Sequence, residues 1–166
     1  MSYFIIIRGP AGVGKTIIAC KLSKLLHAYH ISIDSILAKH NLDDLDYVSG
    51  NLCIPEHKML AANKIIMPTA QEKLAADQIV IFDGNFYHKS QIENLLTQLK
   101  FPHFVYTLKA DLKVCLTRNK RRTHPLDDQA VRDVFELVSK FDYGIVVDTN
   151  RQTTDETVSK IAKQKG

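Results

Sequence analysis

Gly9-Pro10-Ala11-Gly12-Val13-Gly14-Lys15-Thr16 decides how the rest of the chain is read. It matches Gly-x-x-x-x-Gly-Lys-[Ser/Thr], a pattern whose chemistry depends on what flanks it. Ahead of it, Tyr3-Phe4-Ile5-Ile6-Ile7 is short, apolar and rich in β-branched residues, as a fully buried strand is. Behind it, Ile18, Leu22, Leu25 and Leu26 recur at i, i+4, i+7 and i+8, one face of an amphipathic helix. A glycine loop between a strand and a helix N-terminus turns successive N–H groups inward. With the positive end of the helix dipole, that makes a cradle for polyphosphate. In such a loop Lys15 reaches the β/γ-phosphates of a nucleoside triphosphate and the Thr16 hydroxyl ligates Mg2+. The expected nucleotide contacts are Gly9, Ala11, Gly12, Val13, Gly14, Lys15, Thr16 and Ile17. A chance glycine-rich turn would not need the strand, the helix, the lysine and the threonine all in place.

Further short apolar runs at residues 29–33, 79–82, 104–108 and 145–147 read as strands, with helical patterns between them. Five strands separated by helices point to an α/β fold, a parallel sheet with helices on both faces. Ligands in such sheets bind at the carboxyl ends of the strands. The second strand is expected to end at Asp34, the third at Asp83-Gly84-Asn85 and the last at Asp148. Residues 41–51, with Asp43, Asp44, Asp46, Ser49 and Gly50, read as loop or weak helix. A helix should follow from Pro55, and Pro68 should kink or split it.

The chain of 166 residues suggests one domain, and its net charge of +4 is too small to argue for nucleic acid. Cys20, Cys53 and Cys115 are far apart, with no Cys-x-x-Cys, which reads as reduced thiols and a cytoplasmic location. No apolar run approaches a membrane span, and the N-terminus reads as a core strand rather than a signal peptide.

Around the loop, Asp34 suits three roles: general base for an attacking hydroxyl, hydrogen-bond acceptor for a substrate, or outer-sphere Mg2+ ligand. It could equally be a helix N-cap. Asp83, after four apolar residues, has the form of a Walker-B carboxylate that holds Mg2+ directly or through water, with a turn as the alternative. Asn85 could donate to substrate or phosphate. The segment from Lys109 to His124 is the most basic in the chain, and its residues from about 118 to 126 read as a mobile lid. Arg118 and Arg122, four apart, should share a helix face, Arg118 stacking on the base and Arg122 clamping phosphates. Arg121 competes with Arg122 for that second role. His57, His88, His103 and His124 lack metal-ligand spacing, and Asp148 suits a turn cap.

Together these residues resemble the small P-loop kinases of the adenylate-kinase-like group, nearest the polynucleotide-kinase and antibiotic-phosphotransferase branch. The likeness rests on Gly9 to Thr16, Asp34, the Asp83-x-Asn85 element and Arg118-Asn119-x-x-Arg122. It implies a five-stranded parallel sheet, ATP and Mg2+ as cofactors, and Asp34 as base toward the acceptor hydroxyl. The chain departs from the group in having no arginine between Arg8 and Arg118, where nucleotide and shikimate kinases hold an anionic acceptor with arginines. The acceptor segment, about residues 35–78, offers lysines and the acids Asp43, Asp44, Asp46 and Glu56 instead. The expectation is therefore transfer of the γ-phosphoryl of Mg-ATP to a small hydroxyl compound rather than a polynucleotide 5′-hydroxyl. A nucleotide kinase, and an NTPase switch or RNA-associated ATPase without a small acceptor, are the alternatives.

Overall fold

The computed structural model describes residues 1–164. Its main sheet is parallel, with strand order β2-β5-β1-β6-β7. The strands are β1 (Phe4–Arg8), β2 (Tyr29–Ser32), β5 (Val80–Gly84), β6 (His103–Lys109) and β7 (Ile145–Asp148). Every residue of β1 and β5 is buried, which is why both read as unbroken apolar runs. Their side chains alternate between faces. Phe4, Ile6 and Phe82 join Leu74, Ile92 and Leu95 from α3 (Glu56–Ala75) and α4 (Lys89–Leu99). Ile5, Ile7 and Ile81 join Ile18, Leu22 and Ile161 from α1 (Lys15–Leu26) and α7 (Thr154–Lys163) on the other face. Each such side chain contributes about 1.5–3 kcal/mol of burial. The chain leaves β1 toward β2 and leaves β6 toward β7, on opposite sides. The carboxyl ends of β1 and β6 therefore flank the crevice where this architecture binds ligands.

Four expectations are corrected. The second strand stops at Ser32, and Asp34 lies in the first turn of α2 (Ile33–Lys39). Ser32 is the N-cap, its side chain accepting from the Ser35 N–H, so the capping alternative for Asp34 is excluded. Residues 41–51 are not helical, because β3 (Asp46–Val48) pairs antiparallel with β4 (Asn51–Cys53). Ser49 and Gly50, both at positive φ (53° and 86°), make the two-residue turn such a hairpin needs. Of the kink or split expected at Pro68, the split is excluded, since α3 runs through it for 20 residues. Pro68 and Lys64, whose carbonyl loses its helical partner, are both exposed, so the proline lies on the solvent side of the helix. Finally, α5 (Leu112–Lys120) ends before Arg122, so Arg118 and Arg122 do not share a helix face. Asn119, the buried residue between them, turns the chain out of the helix. Its side chain donates to the Leu126 carbonyl (2.7 Å) and accepts from the Leu126 N–H (3.2 Å), closing residues 120–125 into a loop ahead of α6 (Asp128–Ser139).

Candidate active site

The glycine loop has the backbone its sequence demands. Gly12 sits at φ 84°, and a Cβ there would lie 2.3 Å from the Cys115 carbonyl oxygen, so no side chain fits between the loop and α5. Gly14, at φ 95°, is the N-cap of α1 and leaves the first N–H groups of the helix without a side-chain partner, as an anion site needs. Lys15 is buried, its Nζ donating to the Pro10 carbonyl at 3.3 Å. Desolvation pulls its pKa below the ordinary lysine value. Asp34 and Asp83 oppose that shift and Arg122 adds to it. An arriving phosphate would supply the counter-charge that this ammonium lacks.

Asp83 is fully buried at the end of β5, beside β1 in the sheet, which excludes the turn reading. Thr16 Oγ1 donates to its Oδ1 at 2.8 Å. A hydroxyl held by a buried carboxylate beside a phosphate cradle is a donor set suited to Mg2+, whose other ligands come from phosphates and water. Asp83 has a second partner that the sequence did not single out: Nε2 of His30, on the neighbouring strand β2, hydrogen-bonds to Oδ2. One signal was available, a polar residue in the run 29–33 that was to lie in the sheet.

Asp34 is exposed on α2. Its charge also bears on the buried Tyr87, whose pKa burial drives well above the ordinary phenol range. The Tyr87 hydroxyl accepts from the Ile54 N–H (2.9 Å), tying the segment after β5 to the end of the β3–β4 hairpin. Asn85, two residues from Asp83, is half-buried, and its Oδ1 is enclosed without a hydrogen-bond partner.

On the other side of the loop, the Arg118 guanidinium donates to the Thr149 carbonyl (2.6 Å), to Thr149 Oγ1 (3.0 Å) and to the Val13 carbonyl (3.4 Å). It thereby fastens α5 to the glycine loop and to the segment after β7. A groove of about 300 Å3 opens there between Lys113, Val114, Thr117, Arg118, Arg121 and Asn150. Arg121 lines that groove, whereas Arg122 does not and instead contributes to the downward shift at Lys15. Both are exposed. Asp148 caps its turn by accepting from the Asn150 N–H (2.8 Å). Among the described residues no helix is long and apolar enough to cross a membrane.

Residues 4–140 match the family model described as an AAA domain. No curated protein matches the chain. Among solved structures, a sugar kinase from Janibacter superposes with a TM-score of 0.78 at 14% identity, covering 98% of this chain and 94% of that one. An APS kinase from Mycobacterium tuberculosis, in complex with AMPPNP and APS, gives 0.70 at 13% identity over 98% and 96%. A tunicamycin resistance protein from Deinococcus radiodurans gives 0.68 at 23% identity over 100% and 96%. The P-loop kinase fold is thus shared across the whole of the chain.

Proposed function

We propose, on the premise that the chain belongs to the AAA domain family, that it is a kinase moving the γ-phosphoryl of ATP to the hydroxyl of a small acceptor. The observation that carries this reading is geometric: the glycine loop ends at the buried Lys15, and the next residue, Thr16, bonds through Oγ1 to the fully buried Asp83 at 2.8 Å, with Asp34 and Arg122 contributing to the electrostatics at Lys15. A phosphate anchor, a metal-side carboxylate, an acceptor-side carboxylate and a lid cation are the parts that in-line phosphoryl transfer needs. Lys15 and the loop amides hold the phosphates, and Thr16 with Asp83 would hold Mg2+. Bound there, the ion neutralises phosphate charge. Asp34 orients the acceptor hydroxyl and takes its proton, and Arg122 closes over the transferring group. The groove beside Arg118 suits the base, with the guanidinium held by its edge to Thr149 and lining the groove. The lid, about 118–126, and the acceptor segment, about 35–78, then lie in one domain.

The acceptor chemistry follows from charge. Arg8 cannot bind an acceptor anion, since its guanidinium is fully buried and bonded within the core. Of the lysines in the acceptor segment, Lys58 is paired with Asp44 at 3.1 Å and Lys73 with Glu72 at 3.7 Å. Asp43 and Asp46 are exposed, and Asn85 Oδ1 wants a donor. A neutral or cationic polyhydroxyl compound fits these groups better than a phosphate or a polynucleotide.

The test is ATP consumption by wild-type and Asp34→Asn protein with pools of sugars, aminoglycosides, nucleosides, nucleotides and 5′-hydroxyl oligonucleotides. A sugar, nucleoside or aminoglycoside pool that stimulates wild-type turnover but not Asp34→Asn turnover is the expected result. Stimulation by nucleoside monophosphates alone would favour a nucleotide kinase, and slow turnover indifferent to every pool an NTPase switch.

A further inference from the structure

Asp83 is held from two sides. Thr16 Oγ1 donates to Oδ1 at 2.8 Å and His30 Nε2 meets Oδ2. An ionised carboxylate only accepts, so the His30 Nε2 is the N–H donor of this pair. Cys20 Sγ stands 3.7 Å from the other ring nitrogen, Nδ1, in reach of a weak sulfur hydrogen bond. The chain Cys20–His30–Asp83–Thr16 thus crosses from α1 through β2 and β5 and back to α1, ending at the hydroxyl of the glycine loop. His30 is a half-buried residue on the edge strand of the sheet, while Asp83 is fully enclosed.

We propose that His30 is a positioning residue for the metal side of the site: its Nε2–H fixes the Asp83 carboxylate so that Oδ1 stays aimed at Thr16. This rests on the kinase reading above only in assuming that Mg-nucleotide binds at the loop. A carboxylate with one oxygen free would rotate about its Cβ–Cγ bond, and the donor on Oδ2 removes that freedom before the ion arrives. Outer partners of this kind change metal affinity by about 10–100-fold when lost.

The test compares His30→Met with His30→Gln, side chains of similar length and volume that differ in the donor. Binding of a fluorescent ATP analogue is titrated with Mg2+ and repeated in EDTA. The expected result is a rise of about 10-fold in the Mg2+ needed for half-maximal binding in His30→Met. His30→Gln should restore the wild-type value, and metal-free affinity should be unchanged in both. Unchanged Mg2+ dependence in His30→Met, or equal loss in both variants, overturns the proposal while leaving the kinase reading intact. A wild-type protein that binds the analogue without regard to Mg2+ overturns both. If His30→Met does not fold, His30→Ala takes its place, with thermal unfolding recorded to separate a fold defect from a metal defect.

Discussion

At the residue scale, Asp34 opposes the downward pKa shift of Lys15, yet the two should fail in different ways. Asp34→Asn keeps a polar group of the same shape but cannot accept a proton. Turnover with the acceptor should fall by about 100–10,000-fold, while nucleotide affinity measured by calorimetry stays within about twofold. Lost nucleotide affinity in that variant would remove Asp34 from the acceptor role. Lys15→Ala should lose both binding and turnover. Arg122→Ala should cost about 100-fold or more in turnover, and Arg121→Ala should chiefly weaken nucleotide binding, because only Arg122 bears on Lys15. The thiols give a check independent of activity. Cys115 is fully buried with its pKa pushed up to about 11, and Cys53 is buried as well, whereas Cys20 is half-buried. A thiol reagent at pH 8 should therefore label Cys20 first and reach Cys53 and Cys115 only on unfolding, as mass spectrometry of the labelled peptides would show.

At the element scale, what could be read in the sequence was what neighbouring residues dictate to one another. The glycine loop, β1 and α1 needed only residue types in fixed order, and β5 announced itself by four apolar residues before Asp83. The β3–β4 hairpin stayed hidden because its strands are three residues each, too short for an alternation to show, and lie among the turn-forming residues Asp43, Asp44, Ser49 and Gly50. What holds it lies far off in the chain: Asp133 on α6 accepts from the Leu52 N–H at 3.3 Å. The role of His30 was hidden for the same reason, since its partner is 53 residues away. Pro68 did not split the helix because the buried stripe of Asn63, Ile66, Ala70 and Leu74 continues on both sides of it, and packing of that face outweighs the local rule. Two element-level predictions follow from these contacts. Pro68→Ala should raise the thermal midpoint, by restoring a helical bond in a segment anchored on both sides by the buried Asn63, Ile66, Ala70 and Leu74. A lower midpoint would mean that the proline limits the unfolded chain more than it weakens the helix. Asn119→Ala should cost about 1–3 kcal/mol and admit protease between residues 121 and 127, because both polar groups of Leu126 lose their buried partner.

At the scale of the whole molecule, the segment after β5, strand β6 and the end of α6 meet at Arg8. This guanidinium, fully buried at the end of β1, donates to the Phe86 carbonyl (3.3 Å) beside Asn85. It also donates to Thr107 Oγ1 (3.1 Å) on β6, to the Val138 carbonyl (3.1 Å) on α6 and to the Phe141 carbonyl (2.9 Å) just beyond that helix. It also lies 4.2 Å from the centre of the Phe141 ring. Burial lowers its pKa to about 10, with Asp142 opposing the shift, so at neutral pH it remains a cation bonded to neutral acceptors. Arg8→Met keeps the apolar stem and removes every donor, orphaning carbonyls from separate parts of the fold. At about 1–3 kcal/mol for each unsatisfied buried group, the loss in urea unfolding should reach about 4 kcal/mol or more. Arg8→Lys keeps the charge but not the planar fork, so it should recover only part of this. A loss below about 1 kcal/mol in Arg8→Met would mean that the cost of burying the cation cancels its bonds. If Arg8→Lys stays folded, acceptor KM should rise with nucleotide affinity unchanged, because the arginine side chain bonds the segment after β5 to α6 and makes none of these hydrogen bonds to the glycine loop. Equal loss of both would instead make Arg8 a support of the sheet as a whole, with no particular hold on the acceptor side.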